Sequence, residues 1–178
     1  MPETFTSPFP DFYVQVFKLL ISNIGTVALF RFALGLPRGH AKTTFLKLLV
    51  CYCLQYGLTR MVLVMCATDD LAQNFVDDVH EMLGSPNMEN VYGAWNTRLK
   101  IDNRKLKVAE RLQGKQVLVA SGIGTSIRGL NLLNERPDLI ILDDAQTREN
   151  DLSPTERALL LNRIAGTILK ARNCSRCR

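Results

Sequence analysis

Residues 36–44 read Leu36-Pro37-Arg38-Gly39-His40-Ala41-Lys42-Thr43-Thr44. An apolar, β-branched run precedes them at 26–34, and an apolar run with helical spacing follows at 45–56. A strand, a turn and a helix in this order suit a phosphate-binding loop, because N–H groups of the turn and the helix N-terminus then point at one anion. We expect the stretch from Pro37 to Thr44 to surround a nucleotide, with the Lys42 ammonium on the β- and γ-phosphates and the Thr43 hydroxyl on Mg²⁺.

The glycine pattern of this loop is incomplete. In the common form, Gly-x-x-x-x-Gly-Lys-[Ser/Thr], two glycines frame the loop, but Leu36 and Ala41 stand at their positions. Gly35 comes one residue early, and Gly39 lies inside the loop. For this segment alone, the alternative is an ordinary strand-to-helix turn with a solvated Lys42.

A second segment is a short apolar run that ends in two carboxylates, Leu139-Ile140-Ile141-Leu142-Asp143-Asp144. A buried strand of a parallel sheet delivers such residues to its C-terminal end, where α/β proteins bind ligands. There Asp143 can hold Mg²⁺ and Asp144 can orient or deprotonate a water. The alternative is that the two residues cap a turn. A phosphate loop followed about 100 residues later by a strand with acids is the order of P-loop ATPases, so together the segments favour a nucleotide site.

The remaining pattern alternates strands and helices. We predict helices at residues 12–22, 45–56 and 71–83, and from the capping box Ser153-Pro154-Thr155-Glu156 to about residue 170. We predict strands at 26–34, 61–66, 116–120 and 139–142, one or two strands within 99–118, and irregular chain at 85–96. This alternation is typical of an α/β fold with a parallel sheet.

Three further groups of residues can have either a purely structural role or a functional one. The loop Ser121-Gly122-Ile123-Gly124-Thr125-Ser126-Ile127-Arg128-Gly129 is either a glycine-rich turn or a phosphate or DNA contact. Helix capping accounts for Asp69, Asp70 and Gln73, which lie where a strand gives way to a helix, and either Thr68 or Asp69 can be the N-cap of that helix. A run of basic residues is either a solvated hairpin face or a contact with DNA phosphates: Lys100, Arg104, Lys105, Lys107, Arg111 and Lys115.

Composition sets outer limits on the function. The chain has 178 residues, is 47% apolar and carries a net charge of +5, which suits one globular domain and permits a polyanionic partner. Uncharged runs such as 19–30 and 48–59 are shorter than the about 20 residues of a membrane span. Five cysteines and no secretory signal favour a reducing, cytosolic compartment. We expect Cys51, Cys53 and Cys66 to pack in the core and the single pair Cys174 and Cys177 to bind no zinc.

The ordered set of segments resembles the large terminase subunits of tailed bacteriophages. The loop at 36–44 is similar to the Pro-Arg-Gly-x-x-Lys-[Ser/Thr] form of their Walker A, and 136–144 to their Arg-Pro-Asp-apolar Walker B. Residues 67–73, the glycine loop at 122–129 and the helix at 153–169 also resemble family segments. The resemblance covers about residues 12–170.

The resemblance implies a P-loop NTPase fold of the RecA/ASCE type, a three-layer sandwich with a mainly parallel central sheet. It implies the ATPase domain of a viral DNA-packaging motor, which hydrolyses ATP in a ring on the capsid portal. Asp143 is then the magnesium ligand and Asp144 the catalytic carboxylate. Arg38 is then the nucleotide-sensing arginine of its own pocket, and Arg128 reaches the pocket of a neighbouring subunit.

The implied cofactors are ATP and Mg²⁺. The implied partners are double-stranded DNA, the portal protein, the small terminase subunit and other copies of the chain in the ring. We expect a monomer in isolation, no membrane association and a location in the host cytoplasm. The alternatives are another RecA- or helicase-like P-loop ATPase, or a fragment that binds nucleotide or DNA without hydrolysis.

The chain departs from the family in three respects. Asp144 stands where the family usually has glutamate, the Thr/Ser-rich coupling strand has no convincing copy before Arg178, and there is no nuclease domain. We therefore expect a chain truncated on its C-terminal side. Its expected parts are an N-terminal arm at 1–11, an incomplete ATPase domain at 12–170 and a basic tail at 171–178.

Overall fold

The computed structural model describes residues 10–26, 30–37, 39–95, 99–111, 114–125, 136–146 and 153–168. The helices in these ranges are α1 (Asp11–Asn23), α2 (Lys42–Gln55), α3 (Asp69–Leu83), α4 (Pro86–Tyr92) and α5 (Pro154–Arg163), and a π-helical turn (Ile164–Ile168) continues α5. The strands are β1 (Met61–Cys66), β2 (Leu99–Asp102), β3 (Leu106–Arg111), β4 (Gly114–Gly122) and β5 (Leu139–Leu142).

The strands form one mixed sheet in the order β2-β3-β4-β1-β5. β1 lies between β4 and β5 and is parallel to both, whereas β2, β3 and β4 are antiparallel neighbours. The α/β class and the parallel centre are therefore confirmed. The antiparallel side of the sheet was not predicted.

Local turns explain why residues 99–118 hold parts of three strands rather than one or two. The Asn103 carboxamide oxygen accepts hydrogen bonds from the N–H groups of Lys105, at 3.0 Å, and Leu106, at 2.8 Å, which turns the chain between β2 and β3. Gly114 begins β4 with φ of +109°, a conformation that other residues rarely adopt. Tight turns of this kind join antiparallel strands, whereas parallel strands need long crossovers.

Strand β1 is the centre of the core, because all six of its residues are buried. Val62, Val64 and Cys66 pack with residues of α2 and α3, and the alternate residues of β1 pack with Leu160 of α5. Helix α1 packs against α2 through Tyr13 and a third apolar cluster. The sheet therefore has helices on both faces, and the carboxyl ends of β1 and β5 point the same way.

Two predicted segments differ from the structure. Residues 85–96 were predicted to be irregular, but Pro86 starts the short helix α4, as proline suits a first helical turn. Residues 26–34 were predicted to be a strand, but the described residues 30–37 contain no strand. Residues 30–34 and β5 line the same cavity of about 520 Å³. A cavity rather than a hydrogen-bond ladder therefore separates this segment from the sheet.

The described cysteines agree with the sequence expectations. Cys51, Cys53 and Cys66 are buried free thiols, and burial raises the pKa of each to about 12. They are packing residues, as predicted, whereas Cys174 and Cys177 lie outside the described residues. No helix in the described ranges has the length and apolar character needed to cross a membrane.

Candidate functional site

The loop before α2 is held from two directions. The Lys42 ammonium, on the first residue of α2, donates to the Leu36 carbonyl with a nitrogen–oxygen distance of 2.9 Å. The Tyr13 hydroxyl of α1 donates to the His40 carbonyl, and the Tyr13 ring packs on Phe45 with centroids 4.6 Å apart. The loop therefore closes on itself through its lysine and is anchored to α1 through a buried tyrosine that the sequence patterns did not single out.

Ala41 occupies the position at which the common phosphate-loop pattern has glycine. Its backbone is left-handed, with φ of 53° and ψ of 31°, and Gly39 also has a positive φ of 80°. An L-residue in this conformation costs about 1 kcal/mol relative to glycine. The conformation that favours glycine is thus present, although the glycine itself is not.

The Thr43 hydroxyl lies close enough to the Asp143 carboxylate to lower the pKa of that carboxyl group. This proximity joins the first turn of α2 to the residue after β5, 100 positions apart in the sequence. Asp143 is 9% exposed. Burial raises its pKa and the charge of Asp144 acts in the same direction, whereas the Thr43 hydroxyl and the nearby lysines oppose the shift. A buried carboxylate beside a hydroxyl is a pair of oxygen donors of the kind that Mg²⁺ prefers.

The backbone of Asp144 departs from the extended conformation of β5. Its φ is 42°, a conformation that aspartate adopts more readily than most residues. The Asp144 carbonyl accepts a hydrogen bond from the Ala67 N–H at 3.0 Å, and the Asp143 N–H donates to the Met65 carbonyl, also at 3.0 Å. The pairing of β1 with β5 therefore continues past the strand ends, so that Asp143 points inward and Asp144 is exposed.

A cavity of about 890 Å³ brings Lys42, Thr43 and Asp144 together. Asp143 lines the neighbouring 520 Å³ cavity, which shares Lys42, Leu142 and Asp144 with it. Residues 39–43 line the 890 Å³ cavity with Leu142, Asp144, Ala145 and Gln146, and so do Leu71 of α3 and one face of α5. The α5 face contributes Arg157, which the sequence patterns did not single out. The spacing of Arg157, Leu160, Leu161 and Ile164 is the signal that could have found it, because residues at this interval share one helix face.

Asp69 holds the glycine loop after β4. Its Oδ1 accepts from the Gly122 N–H at 2.5 Å and from the Thr125 hydroxyl at 3.3 Å, and its Oδ2 lies 3.3 Å from the Lys105 ammonium. The cap of α3 is Thr68, whose hydroxyl accepts from the Leu71 N–H, one of the two caps that were predicted. The capping interpretation of Asp69 is therefore wrong, because its carboxylate binds the loop at 121–125.

The predicted basic group is largely paired with carboxylates. Arg104 and Lys107 both contact Asp77, at 3.1 and 3.3 Å, and Lys107 also lies 2.6 Å from Asp102. Lys100 lies 3.4 Å from Glu110, and Lys105 pairs with Asp69 as described. This pairing reduces the positive charge that the hairpin side of the sheet presents to a polyanion.

Two predicted arginines cannot be placed. Arg38 and Arg128 lie outside the described residues, whereas Pro37, His40 and Thr44 lie within them, beside or at the start of α2. Among the described residues no cluster of three or more His, Cys, Asp or Glu side chains could hold a metal ion. Magnesium in nucleotide sites needs no such cluster, since it takes one or two protein oxygens together with phosphates and waters.

We compared the chain with protein-family models, curated proteins and solved structures, and none of them matched it. The interpretation of the site therefore depends on its own geometry.

The Asp69 contact gives a prediction about pH. Its hydrogen bond from Gly122, with further help from Lys105 and Thr125, holds the pKa of Asp69 below its usual value. The stabilisation is therefore present above the unfolded pKa of about 3.9 and is lost as the pH falls through the lower folded value. Asp69→Asn should reduce the difference in urea midpoint between pH 7 and pH 3. The exposed neighbour Asp70, as Asp70→Asn, is the matched control, and equal pH dependence of both variants would contradict the prediction.

Proposed function

We propose that this chain binds ATP with Mg²⁺ in the 890 Å³ cavity and hydrolyses it. The closeness of the Thr43 hydroxyl to the Asp143 carboxylate is the observation that carries the proposal. It unites two segments that the sequence connects only by their order, and it supplies a hydroxyl and a carboxylate at the N-terminus of a helix. An ordinary turn with a solvated lysine would not require this proximity.

The roles of the residues follow from their positions. The N–H groups at the start of α2 and the Lys42 ammonium bind phosphate oxygens, since both carry positive charge at the helix N-terminus. Thr43 and Asp143 would hold Mg²⁺, which would neutralise charge on the phosphates. The exposed carboxylate of Asp144 orients the attacking water and accepts its proton.

The wider role that we propose is the ATPase domain of a viral DNA-packaging motor in the host cytoplasm, with double-stranded DNA, portal and small terminase subunit as partners. The resemblance of the ordered segments to large terminase subunits supports it. The paired charges around β2 and β3 lend no support to a DNA contact there, so such a contact is not part of the proposal. Arg128 as an arginine that acts across a ring interface remains a prediction from the resemblance.

A second candidate function is nucleotide binding without turnover. Asp144 is one methylene shorter than the glutamate usual at this position in the family, which places its carboxylate less far into the cavity. Positioning of a water acts on the transition state, so a short reach lowers turnover while leaving binding intact.

Binding and turnover measured on the same chain test both candidates. We expect calorimetric titration to show binding of ADP and ATP that weakens when EDTA removes Mg²⁺. AMP lacks the β- and γ-phosphates and should bind at least about 10-fold more weakly. Phosphate release, with and without duplex DNA, then separates an ATPase from a binding protein. Equal affinity for AMP and ATP would contradict the phosphate-loop assignment.

A further inference from the structure

Helix α5 presents an arginine to the phosphate end of the cavity. Arg157 lies in the first turn of α5 and lines the same 890 Å³ cavity as Lys42, Thr43 and Asp144. Lys42 and Arg157 are the lysine and the arginine among the described residues that line it. They come from different elements, one before and one after β5, so the charges meet only in the folded chain.

The position of Arg157 is fixed by the packing of its helix. Leu160, one turn later on the same face, is 8% exposed and packs with the Met61 side of β1. The Ser153 hydroxyl caps the helix start by accepting from the Glu156 N–H. At the other end, the Arg163 guanidinium donates to the Ile123 carbonyl at 3.4 Å. These contacts hold the backbone of α5, so the base of the Arg157 side chain stays at the edge of the cavity.

We propose that Arg157 binds the terminal phosphate of the nucleotide and so distinguishes the triphosphate from the diphosphate. The inference rests on the proposed function, because it assigns the γ-phosphate to a residue of the same cavity. Lys42 lies at the loop, where its ammonium would contact the β- and γ-phosphates, whereas Arg157 would approach the terminal phosphate from the α5 side. A guanidinium offers two parallel N–H donors to a phosphate, which an ammonium cannot do.

The test compares two nucleotides in two variants. We expect Arg157→Gln to weaken binding of a non-hydrolysable ATP analogue with Mg²⁺ by about 10- to 100-fold, and binding of ADP with Mg²⁺ by less than about 3-fold. Arg157→Lys should restore part of the analogue affinity, since it keeps the charge without the fork. Arg104→Gln, which removes an exposed arginine outside the cavity lining, should leave the ratio of the two affinities unchanged.

Each outcome decides a different point. A parent-like ratio in Arg157→Gln would overturn the role of Arg157 while nucleotide binding by the parent stands. An equal loss for both nucleotides would also overturn it, because a purely structural role does not distinguish phosphates. If Arg157→Gln fails to fold, the ratio measured in Arg157→Lys decides: a parent-like ratio there overturns the proposal. Absence of nucleotide binding by the parent would overturn the proposed function, and this inference with it.

Discussion

Lys42→Ala should abolish nucleotide binding, with an affinity loss of about 100-fold or more for both ADP and ATP. The substitution removes the ammonium at the start of α2, and charge-assisted hydrogen bonds to phosphate are the strong ones. Calorimetric titration with Mg²⁺ measures the loss. The free energy of unfolding should fall by only about 1 kcal/mol, since the folded chain loses one hydrogen bond, from Lys42 to the Leu36 carbonyl.

The matched control for this change is Lys115→Ala, which removes an exposed lysine near the start of β4. It alters the net charge by the same amount but lies outside the lining of the cavity. Any loss of nucleotide affinity that both variants share measures the long-range attraction of the nucleotide to the net charge of the protein. It does not report a direct contact between the lysine and the phosphates. Parent-like binding by Lys42→Ala would show that the loop does not hold phosphates.

The two aspartates after β5 should separate binding from turnover. Asp143→Asn should weaken magnesium-dependent nucleotide affinity by about 10-fold or more, because one charged ligand oxygen becomes a neutral amide. Asp144→Asn should leave affinity within about 2-fold and lower turnover at least 10²-fold, since general-base assistance acts in the transition state. Titration and phosphate release on the same preparations check the division. Equal effects of both variants on binding would contradict it.

The buried member of this pair, Asp143, should also affect the thermal stability of the chain. Burial raises the pKa of Asp143 in the folded chain, so as the pH rises Asp143 loses its proton in the unfolded chain before it does so in the folded chain. The free energy of unfolding therefore falls as the pH rises from the unfolded pKa to the folded pKa. Asp143→Asn should therefore unfold at the same or a higher temperature than the parent at pH 7 while binding magnesium less well.

Asp144→Glu is the complementary variant and should raise turnover, because the longer side chain extends the carboxylate further into the cavity.

The parts of the fold that were predicted depend on local patterns. β1 and β5 are short apolar runs, and the caps Thr68 and Ser153 start helices within three residues of themselves. The pairing of strands was harder, because 99–118 alternates equally well as a long strand or as parts of three short ones. What separates these possibilities is the Asn103 turn and the conformation of Gly114, which are single-residue effects.

The parts of the site that were missed depend on contacts distant in sequence. Asp69 reaches Gly122, 53 residues further on, and Tyr13 reaches His40, 27 residues further on. Nothing in the spacing of these residues marks them as partners. Lys42, Thr43 and Asp143 could be predicted because a phosphate site constrains residue types within one loop and one strand end.

The mixed sheet also sets an order in which the protein can fold. Strands β2, β3 and β4 pair with immediate neighbours in the chain, so their contacts close short loops. The start of β5 is registered on β1 through the Asp138 carboxylate, which accepts from the Met61 N–H, 77 residues away. Loop closure costs entropy before a distant contact repays it, so local pairs form early and distant ones late. We therefore expect the 890 Å³ cavity, which needs β5, to be among the last parts of the molecule to assemble.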